Sequence, residues 1–188
     1  MNGPQPRVAL RFAASDDIPA LEKLIAVSVR VLQREEYSEA QREGALGTVF
    51  GVDTQLIADR TYYVAVVRGG DGSEILVGCG GWSKRKTLFG SDHGPNRTSE
   101  LLDPGKDAAK IRAFFVHPEW ARRGIGTLIL NECEEAARKA GFRRFEMGAT
   151  LTGVPMYAAR GYKEVERISV PLKNGELLPV VRMAKEIR

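Results

Sequence analysis

The chain has 188 residues, of which 43% are hydrophobic and 28% are charged. This composition is typical of one folded domain spanning residues 1–188, and it excludes an intrinsically disordered chain, which lacks the apolar residues to build a core. The formal net charge of +4 is modest and spread along the chain, and aromatic residues make up only 7% of it. Nucleic-acid-binding domains usually concentrate basic and aromatic residues on one face, so we expect no nucleic-acid partner.

No stretch of the sequence approaches the roughly twenty consecutive apolar residues of a membrane-spanning helix, and residues 1–11 lack the apolar run of a secretory signal. We therefore expect no membrane association and a cytoplasmic location. The two cysteines, Cys79 and Cys133, are too few and too isolated for a metal site. We expect no bound metal, and we expect both cysteines to be reduced and structural.

The first predicted elements are a strand and two helices. Residues 8–12 alternate in polarity, as in a short strand. Residues 15–17 are helix-capping residues followed by Pro19, and apolar residues then recur every three or four positions, which predicts a helix to about Gln33. A serine opens a second, shorter helix over residues 38–48.

A hairpin and a long loop follow. Residues 61–67 and 74–82 are rich in β-branched and aromatic residues, and turn-forming residues at 69–72 separate them. Residues 83–109 carry many Gly, Pro, Asn, Asp and Ser residues with little periodicity, which predicts a surface loop. Loops of this length in compact domains are often functional or mobile.

The second half of the chain begins with an apolar strand at residues 110–117. A helix is predicted between Gly124 and Gly141, because apolar residues between them recur at helical spacing. The remaining predicted elements are a strand at 142–148, a short helix at 154–160, and a closing hairpin with strands at 162–170 and 178–183. The complete order β-α-α-β-β-β-α-β-α-β-β predicts an α/β fold of mixed α+β type, with helices on the faces of a mixed sheet.

The segment from Phe114 to Thr127 is the most informative for function, because it runs from a strand through a tight loop into a helix. Free N–H groups at a helix N-terminus can bind a phosphate, and glycines allow close approach of the backbone. Arg122 and Arg123 would add positive charge to the same site. The dinucleotide-binding motif would need a glycine where this chain has Ile129, and the Lys-Ser/Thr pair of the P-loop is absent. A turn without a ligand is the alternative.

Residues 111–130 closely resemble the coenzyme A (CoA)-binding motif of the GNAT (Gcn5-related N-acetyltransferase) enzymes. The core of that motif is Gln/Arg-x-x-Gly-x-Gly/Ala after a strand ending in Val-x-Pro; Gly124 and Gly126 match its glycines, whereas Ala121 replaces its Gln/Arg. Residues 153–162 look like the family's Tyr-x-x-x-Gly-Phe/Tyr segment. The predicted element order is also similar to the GNAT fold, so the resemblance spans essentially the full chain.

This resemblance implies a GNAT-like acyl-CoA N-acyltransferase fold with a mostly antiparallel sheet, and acetyl-CoA as the cofactor. It also implies transfer of the acetyl group to a primary amine of a small molecule or peptide, by direct attack in a ternary complex. The strand at 111–116 would diverge from the strand after residue 142, and the pantetheine arm would pair with the exposed backbone in the gap. The implied cofactor-binding residues are Phe114, Phe115, Val116, Ala121, Arg122, Arg123, Gly124, Ile125, Gly126, Thr127 and Tyr157.

The resemblance also implies catalytic roles. The backbone amide near Val116 would stabilise the oxyanion, and Tyr157 would donate a proton to the departing thiolate. The general base is not evident, because the strand glutamate that is common in the family is absent from residues 110–116. Glu146, Asp107 and His117 are the candidates, and we select Glu146 among them.

Two departures from the family pattern leave an alternative function open. The strand glutamate is missing, and Thr150 stands where many members carry Asn, so a noncatalytic acyl-CoA-binding module or sensor is the second hypothesis. A basic nucleic-acid-binding domain is a third, which rests only on the net charge and on the arginine pair of the motif.

The amine should be recognised by the first half of the chain and by the 83–109 loop. Glu35, Glu36 and Asp53 could attract a cationic acceptor there. The edge strands of the closing hairpin are compatible with a homodimer.

Overall fold

One mixed sheet organises residues 7–187, the part of the chain that the computed structural model describes. Its strands are β1 (Ala9–Phe12), β2 (Tyr62–Arg68), β3 (Glu74–Ser83), β4 (Ala109–Val116), β5 (Arg144–Thr150), β6 (Lys163–Pro171) and β7 (Leu177–Glu186). They lie in the order β1-β2-β3-β4-β5-β7-β6, and every neighbouring pair is antiparallel except β4 and β5. This confirms the mixed, mostly antiparallel sheet that the sequence predicted.

Helices flank the sheet on both faces. They are α1 (Ile18–Leu32), α2 (Glu39–Ala45), α3 (Thr54–Ala58), α4 (Ile125–Lys139) and α5 (Val154–Ala158). The sequence-based order lacked α3, because five residues are too few to show helical periodicity. No helix in the described part of the chain has both the length and the apolar character that crossing a bilayer requires.

The two faces of the sheet carry separate apolar cores. On the α4 face, Ile129 and Cys133 of α4 pack against the sheet together with residues of α5. On the α1 face, Leu21 and Val29 of α1 pack against it together with residues of α2 and α3. Residues 62–67 of β2 alternate between the two cores, because successive side chains of a strand point to opposite faces.

Local sequence explains where α1 and α2 begin. Pro19 occupies the first turn of α1, where its missing N–H has no partner to lose. The Ser38 hydroxyl accepts a hydrogen bond from the Gln41 amide at 3.1 Å, and the Gln41 side chain accepts one from the Ser38 amide at 3.0 Å. This reciprocal cap fixes the start of α2.

The parallel pair at the centre of the sheet is incomplete. β4 and β5 pair at Ala109 with Phe145 and at Lys110 with Glu146, and no pairing continues beyond those residues. The strands diverge from this vertex, which leaves a gap between the rest of β4 and the rest of β5. The gap was predicted for residues 111–116, and the fold contains it.

Candidate active site

A β-bulge shapes one wall of the gap. Cys79 of β3 pairs with Phe115 and Gly81 pairs with Arg112, so two residues of β4 lie opposite the single residue between them on β3. Ala113, in the bulge, has a φ of +57°, which is uncommon for a residue with a side chain. The Tyr62 hydroxyl donates to the Ala113 carbonyl at 3.3 Å and holds the bulge in place. Bulges bend the strand that carries them, and this one redirects β4 at the gap.

A cavity lies at the gap and is lined by residues from both faces of the sheet. Residues 111–115 of β4 and 147–150 of β5 form its walls. Tyr157 lines it on the α4 face, and residues 49–51 and 88–90 line it on the α1 face. The long loop between β3 and β4 therefore contributes to the site, as its length suggested.

Tyr157 is placed by the short helix α5. The turn that leads into α5 is closed by Thr150, whose hydroxyl accepts a hydrogen bond from the Gly153 amide at 3.1 Å. The Tyr157 ring makes edge contacts with Phe114, at 6.1 Å between centroids, and with Tyr162, at 5.9 Å. Its hydroxyl bonds to no other described residue, and burial raises the pKa of Tyr157 well above its ordinary value. The phenol is therefore protonated at neutral pH, and its hydroxyl has no acceptor among the described residues.

The segment from Ala121 to Thr127, which we call the amide loop, connects β4 to α4. Arg122 and Gly124 both have positive φ, +62° and +80°. The backbone amides of residues 122–127 bond to no acceptor among the described residues, and Gly124, the N-cap of α4, provides no side-chain cap. Consecutive unpaired N–H groups at the positive end of a helix form an anion-binding site.

Basic side chains surround the amide loop. The Arg123 guanidinium stacks over the Trp120 ring at 4.9 Å, and Arg122 is exposed. Arg160, at the end of α5, donates to the Thr127 hydroxyl at 3.2 Å. The sequence analysis missed Arg160, because only the fold brings it to the start of α4.

Gly126 has a packing role that the sequence did not reveal. A Cβ atom at this position would lie 2.8 Å from the Met156 sulfur of α5. The absence of a side chain therefore lets α4 and α5 pack closely. Gly124 has the positive φ, so it is the glycine that the loop conformation requires.

The three candidates for the general base lie outside the cavity wall. Glu146 is buried and binds Lys110 through one oxygen and Arg182 through the other, at 2.6 Å. Asp107 accepts from the Asp103 amide, and the His117 ring accepts from the Glu119 amide. No Asp or Glu of the described residues lines the cavity.

Asp53 is buried rather than exposed, which corrects its interpretation as a surface carboxylate for a cationic acceptor. It caps α3 by accepting from the Gln55 amide at 3.1 Å. Its side chain is fully buried between Arg112, at 2.8 Å, and Arg97, at 2.6 Å. Arg112 is itself buried and lines the cavity. Arg97 also pairs with Asp92 at 3.3 Å, so two carboxylates balance two guanidinium groups and Asp53 is not available to an incoming amine.

Cys79 and Cys133 are both buried and free. Burial raises the pKa of Cys79 to about 12, and that of Cys133 also rises well above its ordinary value because of burial. Both thiols are therefore protonated and unreactive, as expected for structural cysteines. The described residues contain no cluster of His, Cys, Asp or Glu that could hold a metal ion.

Residues 102–187, which contain the split strands and the amide loop, match the family of acetyltransferase (GNAT) domains. This match assigns residues 102–187 to the GNAT superfamily. A search of curated proteins found no match to the sequence. Solved GNAT structures share the fold over the whole chain, including the first half that the family match leaves out.

Three solved structures illustrate the likeness. A Gcn5-related N-acetyltransferase from Rhodopseudomonas palustris has a TM-score of 0.68 at 24% identity, with 100% of this chain and 99% of that chain covered. The PaiA N-acetyltransferase from Thermoplasma acidophilum, in complex with CoA, has a TM-score of 0.61 at 14% identity, with 96% of this chain and 99% of that chain covered. YncA from Salmonella typhimurium, with its cofactor acetyl-CoA, has a TM-score of 0.61 at 17% identity, with 97% of this chain and 95% of that chain covered. The predicted family and fold are confirmed.

Proposed function

We propose that this GNAT protein is an N-acetyltransferase that transfers the acetyl group of acetyl-CoA to a primary amine of a small molecule or peptide. The observation that carries the proposal is the juxtaposition of the β4–β5 gap with the unpaired amides of residues 122–127. The solved structures of PaiA and YncA contain CoA and acetyl-CoA, respectively. The residues present fit such a cofactor, because a diphosphate satisfies the amides and a pantetheine arm satisfies unpaired strand backbone.

The proposed cofactor contacts follow the two parts of the site. The amides of the amide loop bind the diphosphate, and the side chains of Arg122 and Arg123 add charge to it. The backbone of residues 114–116 pairs with the pantetheine amides across the gap. Ala121 contributes through its backbone alone, since it lacks the side chain of the family's Gln/Arg.

The proposed chemistry is a direct attack of the neutral amine on the thioester carbonyl in a ternary complex. Acetyl-CoA supplies the activated acetyl group. The backbone amide of Val116 stabilises the negative charge on the carbonyl oxygen, and Tyr157 gives its proton to the departing sulfur. Both groups border the gap, and the Tyr157 hydroxyl has no competing acceptor among the described residues.

The proton of the amine needs a separate acceptor. Lys110 and Arg182 occupy both oxygens of Glu146, so Glu146 can act as the base only through water or after exchanging a partner. We propose that the proton leaves through water in the cavity, and that Glu146 mainly fixes the vertex of the gap. A Glu146→Gln variant that keeps its folding stability but loses rate would assign it the base.

Calorimetry and a thiol-release assay test the proposed function. Titration of the full chain with CoA and with pantetheine should give binding of CoA and much weaker binding of pantetheine, which lacks the diphosphate. Acetyl-CoA with a panel of small-molecule and peptide amines should then release thiol. An absence of heat with CoA would contradict the proposal at its first step.

A noncatalytic acyl-CoA-binding protein is the second candidate. The observation that favours it is the absence of an Asp or Glu from the cavity lining formed by residues 7–187. Tight binding of acetyl-CoA without thiol release from any amine would support it. β6 lies at an edge of the sheet, which is compatible with the predicted homodimer. The homodimer and the cytoplasmic location stay predictions for either candidate function.

A further inference from the structure

An aromatic side chain of the long loop enters the gap from the α1 face. Phe89 is half-buried, lines the cavity, and lies directly over Gly148 of β5. A Cβ atom at position 148 would be 2.7 Å from one ring carbon of Phe89 and 3.2 Å from another. The ring thus occupies the space that a side chain on β5 would otherwise fill.

The loop holds this ring in place through buried polar contacts. Arg112 donates to the Gly90 carbonyl at 2.6 Å and is paired with Asp53, which is itself fixed as the cap of α3. The next residue, Ser91, donates from its amide to the Thr48 carbonyl at 2.7 Å. The two residues that follow Phe89 are therefore tied to the wall of the gap and to the segment before α3, which holds the ring at the gap.

The direction of β4 determines which part of a ligand meets the ring. β4 starts at the closed vertex near Lys110 and ends at Val116, which leads into the amide loop. A ligand held by its diphosphate at the amide loop enters the gap at the open end, and its far end points toward the vertex. Gly148 lies two positions beyond Glu146, the last residue of β5 that pairs with β4, so Phe89 stands near the closed end.

We propose that Phe89 is the residue that limits the transferred group to acetyl, by closing the inner end of the gap against longer acyl chains. This inference rests on the proposed function, because it concerns the acyl group of the cofactor. A two-carbon acyl group ends before the ring, whereas each added methylene extends toward it. Removal of the ring should open an apolar space for these methylenes, because Leu88 and Val180 line the same cavity.

The test measures the binding of acyl-CoA thioesters, so it needs no knowledge of the amine. Calorimetry with CoA, acetyl-CoA, butyryl-CoA and hexanoyl-CoA is compared for the wild-type chain, Phe89→Ala and Phe89→Leu. The wild-type chain should bind hexanoyl-CoA more weakly than acetyl-CoA. Phe89→Ala should shift the ratio of the two affinities by about tenfold in favour of hexanoyl-CoA, the contribution of roughly two buried methylene groups. Phe89→Leu should give an intermediate shift.

Two further variants separate this role from a general loosening of the fold. Phe12→Ala removes another partly exposed phenylalanine, which stacks on Tyr63 at the edge of the sheet and does not line the cavity. It should leave the acyl profile unchanged. In the Phe89→Ala background, Gly148→Ala places a methyl group where the ring was and should restore part of the preference for acetyl-CoA.

The outcomes are distinct. An unchanged acyl profile in both Phe89 variants, with normal binding of CoA itself, overturns the role of Phe89 and leaves the proposed function intact. Equal shifts in Phe89→Ala and Phe12→Ala also overturn it. A wild-type chain that binds no CoA overturns the proposed function and the inference together.

Discussion

The amide loop and the long loop at residues 84–108 meet the same gap, but they are built differently. The amide loop offers backbone groups: its N–H donors are unpaired, and positive φ values at Arg122 and Gly124 set its course. The long loop offers a side chain, Phe89, and the chain that follows it is held by Arg97 and Arg112, which both pair with buried Asp53. The comparison suggests that the chemistry common to a family can be carried by the main chain, whereas selectivity depends on side chains that distant contacts position.

The largest expected effect concerns the anchor of the long loop. Asp53→Ala leaves the guanidinium groups of Arg97 and Arg112 without their shared carboxylate in a buried site. Breaking a buried ion pair typically lowers the free energy of unfolding by about 3–5 kcal/mol. Urea unfolding measures the loss. The matched control is Glu35→Ala, which removes an exposed partner of Arg34 and should leave the unfolding midpoint unchanged. Equal losses in the two variants would show that the buried cluster does not anchor the loop.

A smaller effect is expected at Tyr157, which lines the gap that both loops meet and is the proposed proton donor. Tyr157→Phe keeps the ring contacts with Phe114 and Tyr162 and removes only the hydroxyl. If the phenol protonates the thiolate, kcat for thiol release should fall by about 100-fold, while the affinity for acetyl-CoA changes little. Steady-state kinetics combined with calorimetry checks both quantities. An unchanged kcat would remove Tyr157 from the chemistry.

The smallest expected effect concerns the amide loop itself. Arg122→Gly removes the guanidinium and retains a residue that readily adopts positive φ, so the backbone donors keep their positions. We expect the affinity for CoA to fall by about tenfold and to depend less on ionic strength, because one charge near the diphosphate is lost. Calorimetry at low and high salt measures this change. Complete loss of binding would mean that the side chain, rather than the amides, holds the diphosphate.

Much of the fold could be predicted from the sequence, because its signals are local. The apolar stripe of α1, the cap of α2 and the glycines around α4 each lie within a few residues of the structure that they determine. The exception is α3, whose five residues carry no periodic signal. Its start depends on Asp53, which was interpreted as a surface carboxylate because burial and distant partners cannot be recognised in the sequence.

The site residues also fall into those that local sequence motifs reveal and those that only the folded chain reveals. The amide loop and Tyr157 were identified by short motifs, since a turn and the helix that follows it are specified by adjacent residues. Phe89 and Arg160 were missed, because their neighbours Gly148 and Thr127 lie far along the chain.

Apart from α3, the sequence by itself determined the order of the strands and helices, the backbone conformation at the start of α4 and the resemblance to the GNAT family. Each of these follows from backbone preferences and spacing over short stretches. Only the tertiary structure decided that Asp53 is buried between two arginines and that Phe89 of the long loop lies over Gly148 in the gap. These features arise when segments remote in the chain pack together, and such contacts have no signature in any one segment.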